Sequence, residues 1–137
     1  MNYGKGIFDP KGLYQSIKWN DDILTEFNVS TIPLIPTQLS QLSFEPAYVN
    51  ENIPTLYRGH FEVVLPFDTY VDIQGWTQGI IWVNGYNIGR YWNIGPQRTL
   101  YAPKDIIQKG MNEIIVLEID SAPSDLIIGF QDHPIYE

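Results

Sequence analysis

The chain has 137 residues, of which 44% are hydrophobic and 14% aromatic, and it contains no cysteine. This composition is typical of a folded globular protein and excludes a disordered segment or a disulfide framework. The net charge of −8 argues against nucleic acid and anionic membranes as partners, because both are bound through clustered lysine and arginine.

In chain order, the sequence predicts short β-strands separated by turns. The alternation is clearest from Tyr57 to Leu65, where apolar side chains at odd positions are expected to face a core. Near the C-terminus, Ile115 and Leu117 are expected on one strand face and Glu118 on the opposite, polar face. The predicted strands are Gly12–Trp19, Ile23–Val29, Tyr57–Leu65, Thr69–Ile73, Gly79–Val83, Asn87–Trp92, Thr99–Tyr101, Asn112–Asp120 and Leu126–Phe130.

The strongest local signal is a β-hairpin in the middle of the chain. Gly79–Val83 is apolar on both faces, which predicts a central strand covered on both sides. It runs into Asn84-Gly85, the dipeptide that most favours a type I′ turn. Asn87–Trp92 is then the returning strand.

Helical signals are confined to two short turns. Apolar residues around Leu39 have helical spacing, but prolines at positions 33 and 36 limit this helix to a turn or two. A second turn is predicted to begin at Pro103 and to end by Gly110. Many short strands with so little helix predict an all-β jelly-roll β-sandwich, folded as a single domain over residues 1–137.

The residues that carry acid, base or metal chemistry do not form a recognisable site. His60 and His133 lie far apart without ligand spacing, and Asp68 and Asp72 are interpreted as surface residues on one strand. There is no cysteine nucleophile and no glycine-rich phosphate loop that opens a helix. We therefore predict no catalytic residue, no metal site and no cofactor.

Aromatic and amide side chains are dense between Gly75 and Gln97. Aromatic faces beside Asn, Gln and Arg are suited to sugars, which need both stacking and hydrogen bonds. Alternatively, Trp76, Trp82 and Trp92 fill the core of the sandwich. The candidate sugar-binding residues are Trp76, Asn84, Arg90, Tyr91 and Trp92.

A long motif in the same stretch points to a known family. The motif consists of Gly75-Trp76, Gly79, Val83-Asn84-Gly85, Asn87, Gly89-Arg90-Tyr91-Trp92, Gly95-Pro96-Gln97 and Thr99-Leu100-Tyr101. It resembles the C-terminal jelly-roll module of glycoside hydrolase family 35 β-galactosidases. Weaker similarity to that module extends over nearly the whole chain.

The resemblance implies a galactose-binding-like β-sandwich that is a fragment of a larger enzyme. The parent enzyme would remove terminal β-linked galactose with two glutamates of a barrel that this chain lacks. The module would be non-catalytic and would support enzyme assembly, with the catalytic barrel and other β-domains as its partners. The alternative is an autonomous carbohydrate-binding module that recognises galactose-type sugars through its Trp/Tyr/Arg-rich hairpin.

The resemblance also implies a location for the parent enzyme, which would be lysosomal or secreted. Asn28-Val29-Ser30 fits a glycosylation sequon, so Asn28 is a candidate glycosylation site in such a compartment. The location of this chain itself is not indicated by its sequence.

Overall fold

The computed structural model describes residues 16–46, 49 and 52–136. The chain divides into two units, Met1–Pro33 and Leu34–Glu137. Folding as a single domain over residues 1–137 stays a prediction. The described part of the first unit contains a small antiparallel hairpin of β1 (Ile17–Trp19) and β2 (Asp22–Leu24).

The first unit corrects one predicted strand. The strand expected over Ile23–Val29 ends at Leu24, since Glu26 takes a positive φ of 62° and leaves the extended conformation. The beginning of the strand predicted over Gly12–Trp19 lies outside the described residues. Asn28 is exposed in the segment after β2, and its glycosylation stays a prediction.

The second unit contains the remaining strands and two short helical turns. The turns are α1 (Pro36–Leu39) and a 3₁₀ turn at Lys104–Ile106, which confirms both predicted helical signals. Among the described residues, no helix is long and apolar enough to cross a membrane. The strands are β3 (Thr55–Val63), β4 (Thr69–Asp72), β5 (Gln78–Val83), β6 (Tyr86–Trp92), β7 (Thr99–Ala102), β8 (Gly110–Glu118) and β9 (Gly129–Gln131).

Two antiparallel sheets build this unit. A four-stranded sheet has the order β3-β8-β5-β6, and a three-stranded sheet has the order β7-β4-β9. One hydrophobic cluster takes residues from both sheets, such as Ile81 and Val116 from the first and Val71 and Leu100 from the second. This arrangement confirms the predicted all-β sandwich.

The outer face of the four-stranded sheet is also apolar. Trp82 of β5 and Ile115 of β8 form a second buried cluster with Leu39 of α1. The prediction that the strand at Gly79–Val83 is covered on both sides is therefore confirmed. Its two flanking strands in the sheet are β6 and β8.

Strand ends were the least accurate part of the sequence prediction. β3 and β8 each begin and end two residues earlier than expected, because their pairing runs from Thr55↔Glu118 to Val63↔Gly110. The strand predicted from Leu126 begins at Gly129 instead, since Leu126 has a positive φ of 52°. The shifts of β3 and β8 follow from the register between two strands that are distant in sequence.

Candidate functional site

The predicted hairpin turn joins β5 and β6. Asn84 and Gly85 have φ angles of 49° and 81°, and a type I′ turn needs positive φ at both of these positions. The hairpin prediction is therefore confirmed. The pairing of the two strands is irregular between Ile81 and Trp82, which leaves Ile88 of β6 as an extra residue.

The side chain of Asn84 binds the neighbouring backbone. Its Nδ2 donates to the carbonyl oxygen of Ile106 and to Oδ1 of Asn112, each at 2.7 Å. Its Oδ1 accepts from the backbone N–H of Glu113 at 2.9 Å. Both amide hydrogens are therefore used within the fold, and they tie the hairpin turn to the 3₁₀ turn at Lys104–Ile106 and to the start of β8.

Tyr91 points into the core and meets a buried carboxylate. Its hydroxyl donates to Oε2 of Glu118 at 3.1 Å. Glu118 is only 1% exposed, and it also accepts the backbone N–H groups of Thr77 at 2.8 Å, Gln78 at 3.1 Å and Asp120 at 2.9 Å. Burial, reinforced by the Glu118 carboxylate, raises the pKa of Tyr91, so the hydroxyl keeps its proton and remains a donor.

Gly79 makes room for this buried network. A Cβ at position 79 would lie 1.7 Å from the carbonyl oxygen of Leu117 and 2.7 Å from the hydroxyl of Tyr91. Only glycine can occupy this point without moving β5 away from β8. Gly79, Tyr91 and Glu118 therefore form one structural unit, which we call the carboxylate cluster.

Trp76 is a core residue held by a hydrogen bond. Its indole Nε1–H donates to the carbonyl oxygen of Ile127 at 2.8 Å. Its ring is buried and meets Tyr57 edge-on, with centroids 5.4 Å apart and an interplanar angle of 78°. This geometry matches the interpretation of Trp76 as part of the sandwich core.

Arg90 and Trp92 lie together on the outer face of β6. The guanidinium carbon of Arg90 is 5.2 Å from the ring centroid of Trp92. Trp92 is 43% exposed, and Arg90 is also exposed. Of the five predicted sugar-binding residues, these two are brought together at the surface, whereas Trp76 and Tyr91 are buried and Asn84 is bound by the fold.

Glu118 was placed on the wrong face by the sequence. It was expected on a polar strand face, but it points into the core because Ile114 and Val116 of β8 also face inward. The available signal was a carboxylate at the end of a strand that is apolar on both faces. Among the described residues, every buried side-chain nitrogen and oxygen has a hydrogen-bond partner.

The aspartates that were interpreted as surface residues have local partners. Asp68 accepts the backbone N–H of Lys104 at 2.8 Å, and this bond together with the Tyr101 hydroxyl lowers the pKa of Asp68. Asp72 accepts from the backbone N–H of Gln74 at 3.0 Å and from Nε2 of Gln131 at 3.1 Å. Within the described part of the chain, no group of three or more His, Asp or Glu residues is placed to hold a metal ion.

Comparison with known proteins relates this chain to one part of larger proteins. Residues 54–112, which contain the whole hairpin and the five candidate residues, match the family model of the β-galactosidase galactose-binding domain. Over 99% of its length the chain is 33% identical to a β-galactosidase of Bos taurus. The chain is similar to one part of a β-galactosidase.

Two further relatives agree with this similarity. The chain is 35% identical over 86% of its length to a human β-galactosidase-1-like protein 2, and 33% identical over 97% to β-galactosidase 17 of Arabidopsis thaliana. It covers 25% of the bovine protein, 19% of the human one and 22% of the plant one. The chain thus spans about a quarter or less of the curated relatives it matches.

Proposed function

We propose that this chain is the non-catalytic C-terminal module of a family 35 β-galactosidase and that it supports assembly of the enzyme. The similarity to about a quarter of each relative supports a role within a larger protein. A retaining glycosidase needs two carboxylates about 5 Å apart beside the substrate. Glu118 instead accepts hydrogen bonds in the core, and Asp68 and Asp72 accept them from neighbouring loops and strands.

The observation that carries this proposal is an exposed apolar groove at the end of β3. Val64 is 82% exposed and Leu65 is 74% exposed. With Phe67, Phe61 and Phe130 they line a groove of about 470 Å³, which we call the β3-end groove. Isolated soluble domains rarely expose a contiguous apolar surface of this kind unless another protein surface covers it.

A domain exchange tests the assembly role. The matching quarter of the Bos taurus β-galactosidase is replaced by this chain, and the yield of folded enzyme and its hydrolysis of a nitrophenyl β-galactoside are measured. We expect an active chimera that loses yield and activity with Leu65→Glu, because a charge in the groove must be desolvated on docking. Ile94→Glu is the matched control, since Ile94 is exposed but lies outside the groove.

Two results would contradict the proposal. If Leu65→Glu reduces the yield and activity of the chimera no more than Ile94→Glu does, the β3-end groove does not support assembly. Hydrolysis of the nitrophenyl substrate by the isolated 137-residue chain at enzyme-like rates would remove the non-catalytic assignment. Thermal unfolding of the isolated variants shows whether the fold itself tolerates each charge.

A second candidate function is the binding of galactose-type sugars on the hairpin. The half-exposed ring of Trp92 with the Arg90 guanidinium beside it favours this candidate, because sugars stack on aromatic rings and accept hydrogen bonds from arginine. Titration of galactose or lactose should then change the tryptophan fluorescence saturably. The change should disappear in Trp92→Ala, and its persistence there would rule out the hairpin as the binding site.

A further inference from the structure

The β1–β2 hairpin of the first unit carries a large exposed indole ring. Trp19 ends β1 and is 71% exposed. Within the described ranges of the chain, its ring has no aromatic or cationic neighbour. A two-stranded hairpin is only marginally stable in water unless further structure packs against it. The exposure of Trp19 therefore indicates a face that another surface covers.

The strand register places Trp19 and Asp22 side by side on that face. The two residues are direct partners in the pairing of β1 with β2, and Asn20, with a positive φ of 55°, begins the two-residue turn between them. Directly opposed residues have Cβ atoms about 5 Å apart, and their side chains point to the same side. The pair Ile17↔Leu24 lies two residues further along both strands, so it shares this side as well. We call this side the Trp19 face.

The carboxylate of Asp22 is not neutralised on the Trp19 face. The only cation between residues 16 and 24 is Lys18, whose side chain points to the opposite face with Ile23, because successive residues of a strand alternate. Asp22 is exposed, and among the described residues it takes part in no ion pair or side-chain hydrogen bond. Asp21 in the turn adds a second exposed carboxylate. The Trp19 face therefore combines an indole ring with negative charge.

An arginine side chain fits this combination better than a lysine or an apolar group. The planar guanidinium stacks on the face of an indole ring, and its edge offers paired N–H donors to a carboxylate. Lysine supplies a point charge without this planar fork. An apolar partner would leave the Asp22 carboxylate desolvated without a hydrogen bond, which is costly. Tryptophan and arginine are also the residues that most often dominate protein interfaces.

We propose that the Trp19 face docks on an arginine of another domain of the parent enzyme. The guanidinium stacks on the Trp19 ring and donates to the Asp22 carboxylate, while Ile17 and Leu24 contact the apolar surface beside it. The net charge of −8 supports a basic partner surface, since opposite charges favour association. This inference rests on the proposed assembly role, but it uses none of the residues of the β3-end groove.

Photo-crosslinking in the chimera identifies what covers the Trp19 face. Benzoylphenylalanine replaces Trp19 in the test sample and Ile23 in the control, and mass spectrometry locates the crosslinked residues after irradiation. Ile23 is the matched position, because it lies in the same hairpin, is 59% exposed and points to the opposite face. We expect position 19 to capture a residue next to an arginine outside the 137 residues of this chain. We expect no such capture from position 23.

Charge reversal tests the arginine itself. Asp22→Lys should weaken docking about tenfold or more, the effect of losing a charge-assisted contact, and should lower the yield and activity of the chimera. Lys18→Glu, a reversal on the opposite face, should leave both unchanged. Replacing the captured arginine by glutamate should restore the Asp22→Lys chimera, because the two charges are then exchanged. This rescue would not occur if Asp22→Lys only damaged the fold.

Several results would overturn the proposal. These are equal capture from positions 19 and 23, capture at a site without arginine, and a crosslinked dimer, which would make a second copy of the chain the partner. Equal effects of Asp22→Lys and Lys18→Glu, or no rescue, would also overturn it. If Leu65→Glu still lowers the yield in these cases, the assembly role stands and only the arginine contact is wrong. If Leu65→Glu has no effect but position 19 captures an arginine site, the groove assignment fails and the arginine contact stands.

Discussion

Tyr91 and Trp92 are neighbours in sequence on β6, but they face opposite sides of the sheet. Tyr91 is enclosed and donates to the Glu118 carboxylate, whereas Trp92 is half exposed beside Arg90. The inner face of β6 therefore stabilises the sandwich, whereas its outer face is open to solvent at Arg90 and Trp92. An aromatic-rich motif can thus contain both core residues and surface residues. The face of the strand on which a residue lies decides which of the two it is.

The largest loss of stability is expected at Glu118, which lies on the inner face of the sheet. Glu118→Gln should reduce the free energy of unfolding by about 3 kcal/mol or more, because the amide NH₂ would face backbone donors that now bind a charged oxygen. Urea unfolding measures the loss. Glu113→Gln on the same strand, where only the backbone of Glu113 takes part in the described hydrogen bonds, should change it by less than about 0.5 kcal/mol. Equal losses would contradict the role of the carboxylate cluster.

Gly79→Ala tests the space that the cluster requires. The added methyl would overlap the Leu117 carbonyl oxygen at 1.7 Å, so we expect a loss of about 2–3 kcal/mol in unfolding free energy. The control is Gly59→Ala, whose Cβ would lie 3.3 Å from Cγ2 of Ile114 and should cost below about 1 kcal/mol. If the two variants unfold alike, β5 and β8 are not as close at this point as described.

Tyr91→Phe probes the same cluster through pH. Loss of the hydroxyl donor should cost about 1 kcal/mol at neutral pH. Because the folded-state pKa of Tyr91 lies above its unfolded value near 10, its contribution is intact below about pH 10 and declines as pH rises further. From pH 8 upward, the free energy of unfolding should therefore fall less steeply with pH for Tyr91→Phe than for the unmodified chain.

The control for the pH series is Tyr86→Phe, because Tyr86 is 60% exposed at the hairpin end. It should follow the unmodified chain at every pH. An unchanged alkaline slope in Tyr91→Phe would mean that Tyr91 does not resist ionisation in the folded state.

Trp92→Ala is expected to have the smallest effect on stability. Its half-exposed ring should contribute less than about 1 kcal/mol, whereas Trp82→Ala, on the buried part of the same sheet face, should lose about 3–5 kcal/mol. The losses of the two variants are measured by thermal unfolding. Similar losses would place Trp92 in the core and remove the distinction between the two faces.

The parts of the fold that depend on neighbouring residues were predictable from the sequence. Asn84-Gly85 specifies its turn through the positive φ that both residues tolerate, and the run Gly79–Val83 required cover on both faces. The strand order β3-β8-β5-β6 was not predictable in this way, because pairing partners such as Thr55 and Glu118 are far apart in sequence.

The candidate site was less predictable than the fold. Residue type alone indicated that Asn84, Tyr91 and Trp76 could bind a ligand, but each hydrogen-bonds to a group between 22 and 51 residues away. Only the tertiary arrangement shows that these donors are used. That Asp72 and Arg98 line one cleft was not predictable for the same reason, since the two residues come together only when β4 and β7 pair.

The turn at Asn84 also affects how fast this asparagine is deamidated. In an Asn-Gly dipeptide, the backbone nitrogen of glycine readily attacks the asparagine side-chain carbonyl and releases ammonia. Here the amide nitrogen donates to Ile106 and Asn112, and the turn dihedrals of Asn84 and Gly85 are set by the hairpin. We therefore expect Asn84 to deamidate only after the hairpin opens locally, so that the rate of deamidation reports how often the hairpin opens.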